Sequence, residues 1–158
     1  MHVRALSPSD RESLPRMLTE IVEFRPAEVS CALELAFLAL DEPETSGYFA
    51  LVAEHEGRLA GYLNYGPTPL APGTWDLYWI ASAAWARGKG AGSKLLRAME
   101  ERLKAAGARL VRVETSSLTE YGPARDFYHR MRYEPATVLK DFYHPGDDLV
   151  VLTKRLDR

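Results

Sequence analysis

The run Arg87-Gly88-Lys89-Gly90-Ala91-Gly92-Ser93-Lys94 constrains this chain more than any other stretch. Glycines at alternate positions strip side chains from the backbone and permit positive φ. The run stands between a strand-like pattern over Thr74 to Ala81 and a helical stripe from Gly92 to Ala106, where Leu95, Leu96, Met99 and Leu103 share one face. The chain must therefore pass from strand to helix over bare backbone. The start of such a helix presents unpaired N–H groups and the positive end of its dipole, and Arg87, Lys89 and Lys94 add charge. A pyrophosphate-like anion suits that seat. The same composition also fits a tight turn whose basic residues are simply solvated.

Periodicity orders the rest of the chain around this loop. Val3 to Leu6 reads as a strand, and Ser7-Pro8-Ser9-Asp10 as a helix start. Helices are expected over Asp10 to Phe24 and Pro26 to Leu40, the second carrying Val29, Ala32, Ala36 and Leu40 at helical steps. Tyr48 to Glu54 and Arg58 to Tyr65 read as a hairpin around Glu54-His55-Glu56-Gly57. Pro67, Pro69 and Pro72 make Gly66 to Gly73 a loop. In the following strand, alternation sets Trp75, Leu77 and Trp79 on one face and Asp76, Tyr78 and Ile80 on the other.

Gly107 suits the C-cap of the stripe helix, and Leu110 to Thr115 reads as a strand. Pro123 opens a helix whose Ala124, Phe127, Tyr128 and Met131 share a face. Strands near Tyr133 to Lys140 and Leu149 to Leu156 flank a loop over Asp141 to Asp148. The order β α α β β β α β α β β implies a single α/β domain over residues 1–158, with a mixed central sheet of about six or seven strands and about four helices.

Composition narrows the partners. The 158 residues are 46% hydrophobic and 27% charged, an ordinary globular balance. Twenty Lys and Arg against 22 Asp and Glu give a net charge of −2, without the basic excess of a nucleic-acid or anionic-membrane binder. Cys31 stands alone, so no internal disulfide forms; its apolar helix makes it a core thiol, and no metal-ligand spacing is present. Met1-His2-Val3-Arg4 lacks the apolar stretch expected of a signal peptide, and Cys31 to Leu40 is broken by Glu34, far short of the ~20 residues that cross a bilayer. A cytoplasmic protein, monomeric or homodimeric, is the expectation. His2, His55, His129 and His144 read as surface residues.

Two phosphate motifs fit poorly. A Walker loop needs G-x-x-x-x-G-K-[ST], whereas Gly92 is followed by Ser93-Lys94. A dinucleotide fingerprint needs a third glycine where Leu95 stands, and Ser82 to Ala86 separate strand from loop, although Glu114 lies near the required distance. A nucleotide-binding domain is thus the lesser alternative. Arg87-Gly88-Lys89-Gly90-Ala91-Gly92 instead matches Q/R-x-x-G-x-G/A, the motif of the GNAT superfamily of N-acyltransferases, in the matching element order. Ala124-Arg125-Asp126-Phe127-Tyr128-His129-Arg130-Met131-Arg132-Tyr133 resembles that family's A-x-x-F-Y-x-x-x-G-F segment. Asp141-Phe142-Tyr143 and Pro145-Gly146-Asp147-Asp148 are similar to a bacterial subgroup. Three positions depart from the pattern: Arg132 replaces glycine, so the turn there should differ; Tyr121 replaces a cofactor-contacting asparagine; Ala84 replaces a proline.

The resemblance implies transfer of an acetyl group from acetyl-CoA to a primary amine of a small molecule or peptide. A non-catalytic acyl-CoA-binding module of the same fold is the rival. By resemblance, Arg87, Gly88, Lys89, Gly90, Ala91, Gly92 and Ser93 would hold the diphosphate, Ile80, Ala81 and Ser82 the acyl-pantetheine arm, and Tyr121 a further part of the cofactor. Tyr128 matches the tyrosine that faces the thiol sulfur and would be the acid; Asp76 matches a carboxylate base, with water, Glu114 or Glu120 as alternatives. The amine would enter near Phe24 to Val29, Pro69 and Asp141 to Asp148, where Asp141, Asp147 and Asp148 could attract a cation but also compose an ordinary turn. Tyr65, Trp75, Tyr78 and Tyr143 are candidates to line the pocket.

Overall fold

A two-residue turn sets the centre of the sheet in a computed structural model that describes residues 1–158. β1 (His2–Ala5) lies beside β2 (Phe49–His55), which pairs antiparallel with β3 (Arg58–Pro67) around Glu56 and Gly57. Both turn residues have positive φ, 51° and 74°, the backbone that matches strand twist in a short hairpin. β4 (Thr74–Ser82) adds antiparallel to β3, and β5 (Leu110–Ser116) runs parallel to β4. β7 (Asp147–Arg155) and the edge strand β6 (Glu134–His144) complete seven strands in the order β1-β2-β3-β4-β5-β7-β6.

Two helices cover each face. α1 (Ser13–Thr19) and α2 (Pro26–Asp41) lie on one, where the Tyr62 hydroxyl donates to the Ala32 carbonyl at 3.2 Å and Phe24 meets Trp79 edge-on at 5.7 Å. α3 (Ala91–Ala105) and α4 (Gly122–Arg130) lie on the other. α3 approaches β3 so closely that a Cβ on Gly61 would stand 2.9 Å from Leu95 Cδ1. Leu14, Leu18, Leu51, Leu63, Leu95 and Met99 are fully buried between these layers, each contributing about 1.5–3 kcal/mol of apolar burial. No helix is long and apolar enough to cross a membrane.

Five local expectations need correction. The Asp10–Phe24 helix is instead a 3₁₀ turn at Pro8–Asp10 and a shorter α1, because Asp10 turns inward to accept from Arg4 at 2.8 Å and from the Ser7 N–H at 2.9 Å. Cys31 is exposed, since Val29, Ala32 and Ala36 supply the buried stripe of α2. The Asp141–Asp148 loop contracts to a turn at Pro145 and Gly146, with Asp148 accepting from Lys140 Nζ and the Asp141 N–H, both at 2.9 Å.

The turn at Arg132 does not differ from a glycine turn. Arg132 itself takes φ 66°, and the Tyr133 N–H reaches the Tyr128 carbonyl while the Arg132 N–H reaches that of His129, closing the end of α4.

The fifth correction concerns β4. Trp79 faces Asn64 but Leu77 faces Tyr65, so Tyr78 is an extra residue and the alternation reverses across it. Trp75, Leu77, Ile80 and Ser82 share the α3 face, while Asp76, Trp79 and Ala81 share the α2 face.

Candidate active site

β4 and β5 stay together only from Thr74–Leu77 against Leu110–Val113. Beyond that, Glu114–Ser116 pair only with β7 and Trp79–Ser82 only with β3, so the two strands part into a V. The Ala83 N–H bonds the Ala60 carbonyl at 2.9 Å, in register with the Ala81–Tyr62 pair. Antiparallel alternation therefore turns the Ala81 N–H into the sheet and the Ile80 and Ser82 N–H groups towards the opening. Of the three residues expected along the acyl arm, two present donors there.

On the α3 side stands the glycine run. Gly88 and Gly90 have φ of 75° and 82°, and a Cβ at either would meet nothing within 4 Å. The Lys89 N–H is taken by the Ala86 carbonyl and that of Lys94 by Gly90, at 3.1 and 3.0 Å. The N–H groups of Gly88, Gly90, Ala91, Gly92 and Ser93 have no acceptor within the chain. Open space over five free donors at a helix N-terminus fits a diphosphate.

Gly92 differs, since a Cβ there would meet Phe127 Cζ at 3.4 Å, an ordinary packing contact. Arg87 is turned away: its two terminal nitrogens bond the Glu23 carboxylate at 2.7 and 2.5 Å, which holds that carboxyl below its usual range. Lys89 lies over the Trp85 ring, Nζ 5.2 Å from its centre.

The other side of the V is a cavity of about 430 Å³ whose wall includes Glu28, Asp76, Tyr78, Glu114, Tyr121 and Asp147. Asp76 is 7% exposed, and both of its oxygens are engaged, Oδ1 by Arg112 Nε at 2.7 Å and Oδ2 by the Thr68 hydroxyl at 2.8 Å. Glu114, at the end of β5, accepts no hydrogen bond from the chain and faces the cavity. Tyr121, expected among the cofactor contacts, lies on this wall, and its hydroxyl donates to Glu28 at 3.2 Å. Burial and then the Glu28 charge push its pKa up.

Arg25, Glu28, Tyr143, His144 and Asp147 bring two of the expected acceptor segments together; the Pro69 loop, Asp141 and Asp148 stay outside, and Tyr65 is core, stacked on Phe49. Tyr128 is 6% exposed beside Phe127 and Tyr133, outside the cavity wall, and its hydroxyl has no partner. Burial pushes its pKa up, so it keeps its proton at neutral pH. The Asp76–Arg112 and Glu28–Tyr121 links escaped sequence reading because no local spacing announces them; strand register alone places Asp76 opposite Arg112.

The sheet thus parts between parallel strands, with free N–H groups at a helix start on one side and an acid-lined cavity on the other. The model of the acetyltransferase (GNAT) family matches residues 14–133. A GNAT-family protein from Desulfovibrio desulfuricans is 35% identical over 98% of both chains, with a TM-score of 0.93. The chain belongs to the GNAT acetyltransferase family. More distant proteins share the fold. A ribosomal-protein-alanine N-acetyltransferase from Brucella melitensis is 21% identical over 98% of this chain and 99% of that one, TM-score 0.77. An aminoglycoside 6'-N-acetyltransferase complexed with coenzyme A is 15% identical over 99% and 97%, TM-score 0.75. No curated protein matches the chain.

Proposed function

We propose that the protein transfers an acetyl group from acetyl-CoA directly to a primary amine. The observation that carries this reading is the parting of β4 and β5 beyond Leu77 and Val113, which joins the glycine cradle to the acidic cavity. Family membership and the coenzyme A complex of a protein with the same fold support the donor. The free N–H groups of Gly88, Gly90, Ala91, Gly92 and Ser93 would hold its diphosphate, and those of Ile80 and Ser82 would face its acyl arm. Bound there, acetyl-CoA supplies an activated thioester.

The chain's own groups then have three roles. An alkyl ammonium, with a pKa near ~10, must lose a proton before it attacks. Asp76 would have to release Arg112 or Thr68 to take it, whereas Glu114 is free; Glu114 is the base and Asp76 braces Arg112. The Ile80 and Ser82 N–H groups offer preorganised donors to the charge that develops on the acyl oxygen. Tyr128, kept protonated by burial, gives a hydrogen bond to the departing thiolate; because its pKa is raised above the ~8.5 of an ordinary thiol, the proton stays on the phenol.

Thiol release from acetyl-CoA, measured across a panel of amines, tests the proposal. Wild-type protein should release thiol only when an amine is present. Glu114→Gln and Tyr128→Phe should each lower kcat about 10²–10⁴-fold while coenzyme A binds as before. A chain that does not bind coenzyme A refutes the donor, and full kcat in Glu114→Gln refutes the base.

A further inference from the structure

Both arginines on the cavity wall are already paired. Arg25 Nε lies 3.6 Å from Glu28, and Arg112 Nε lies 2.7 Å from Asp76. Glu114 and Asp147 share that wall, yet neither has a lysine, arginine or histidine nitrogen within ion-pair distance. Asp147 is the more telling of the two. It is only 8% exposed, the Ser116 hydroxyl donates to its Oδ1, and its Oδ2 receives nothing from the chain. Its carboxylate has no counter-ion in the chain and is anchored at the edge of the cavity.

Strand geometry relates the two free carboxylates. Glu114 and Ser116 are two residues apart on β5 and so point to the same side of the sheet. Asp147, tied to Ser116, thus stands beyond Glu114 in the same direction, with a separation on the order of 7 Å along the strand. Their roles also differ, since the nitrogen served by a base must become neutral, whereas a group held by a carboxylate with no other counter-ion should remain charged. The rings of Tyr78, Tyr121 and Tyr143 on the same wall favour a cation further.

We infer that the acceptor is a diamine or polyamine-like molecule: Glu114 deprotonates one amine, and Asp147 holds a second as its ammonium, about four or five carbons away to match the ~7 Å strand spacing. This rests on the transferase reading above but makes a separate claim, about the second charge.

The test is calorimetric titration of 1,4-diaminobutane and of 1-aminobutane into the full chain, repeated with Asp147→Asn, alongside KM for both amines with acetyl-CoA. The diamine should bind wild-type protein at least tenfold more tightly than the monoamine and show a correspondingly lower KM. Asp147→Asn should bring the two amines together. Equal affinity in wild-type protein, or a preference that survives Asp147→Asn, overturns the assignment, and the wild-type comparison decides even if the variant fails to fold. Coenzyme A titrated into the same preparation separates the two claims. Binding and transfer without diamine preference remove only the second charge. Diamine preference without coenzyme A binding removes the transferase and leaves Asp147 as a cation site.

Discussion

Gly90→Ala separates the conformational role of the loop from its role as an anion seat. Gly90 is the N-cap of α3 at φ 82° and ψ 14°, and open space lies where its Cβ would stand. An alanine meets no clash, so its effect on folding is backbone strain of about 1–2 kcal/mol. The stiffer unfolded chain offsets about 0.4–1 kcal/mol of that. The net loss of about 0–1.6 kcal/mol lowers Tm by at most roughly 6 °C in a domain of this size. Gly107, at the far end of the same helix, has φ 77° and equally open space, so Gly107→Ala should lose the same stability.

The ligand tells them apart. A methyl on residue 90 occupies the bare space through which a diphosphate reaches the Gly90, Ala91 and Gly92 N–H groups. Each hydrogen bond to a charged partner contributes about 1.5–3 kcal/mol, so losing two weakens coenzyme A binding about 10²–10⁴-fold. Gly107→Ala should bind within twofold of wild type. Thermal unfolding and calorimetric titration of coenzyme A, run on all three proteins, give the comparison. If Gly90→Ala matches Gly107→Ala in both measurements, the loop is a structural turn and the cradle lies elsewhere.

Two further outcomes concern stability. Arg132→Gly relieves a left-handed arginine at the end of α4 and should raise stability by about 0.5–1 kcal/mol, or roughly 1–4 °C in Tm; a lower Tm would show that the arginine side chain makes a compensating contact. Tyr62, Tyr128 and Tyr133 all have pKa values raised chiefly by burial. Above pH ~10 the unfolded chain sheds these protons while the folded chain keeps them. Stability is therefore complete below that pH and falls by about 1.4 kcal/mol per group per pH unit above it. Tyrosinate absorbance followed with circular dichroism should show ionisation and unfolding in one cooperative step, with a shallower loss in Tyr128→Phe.

Much of the fold was legible because its signals are local. The leucine stripe of α3, Gly107 at its end, Pro123 at the start of α4 and the turn at Glu56-Gly57 each act through torsion or periodicity within a few residues. The glycine run was legible for the same reason, since Gly88 and Gly90 need positive φ whatever surrounds them. The site was less so. Asp76 matched a carboxylate base by resemblance, but only register sets it against Arg112, and only α1 and its following turn bring Glu23 to Arg87. The hydrogen bond from the Tyr121 hydroxyl to Glu28, 93 residues away, likewise has no local signal.

By itself, the amino-acid sequence determined the order of elements, the bare-backbone loop and the helix that follows it, because those depend on intrinsic conformational preference and on which face is apolar. The tertiary structure alone decided the bulge at Tyr78, the parting of β4 from β5, and which carboxylates are paired and which are left facing the cavity. These depend on register and on charges distant along the chain, whose energies are set only once the strands have found their partners.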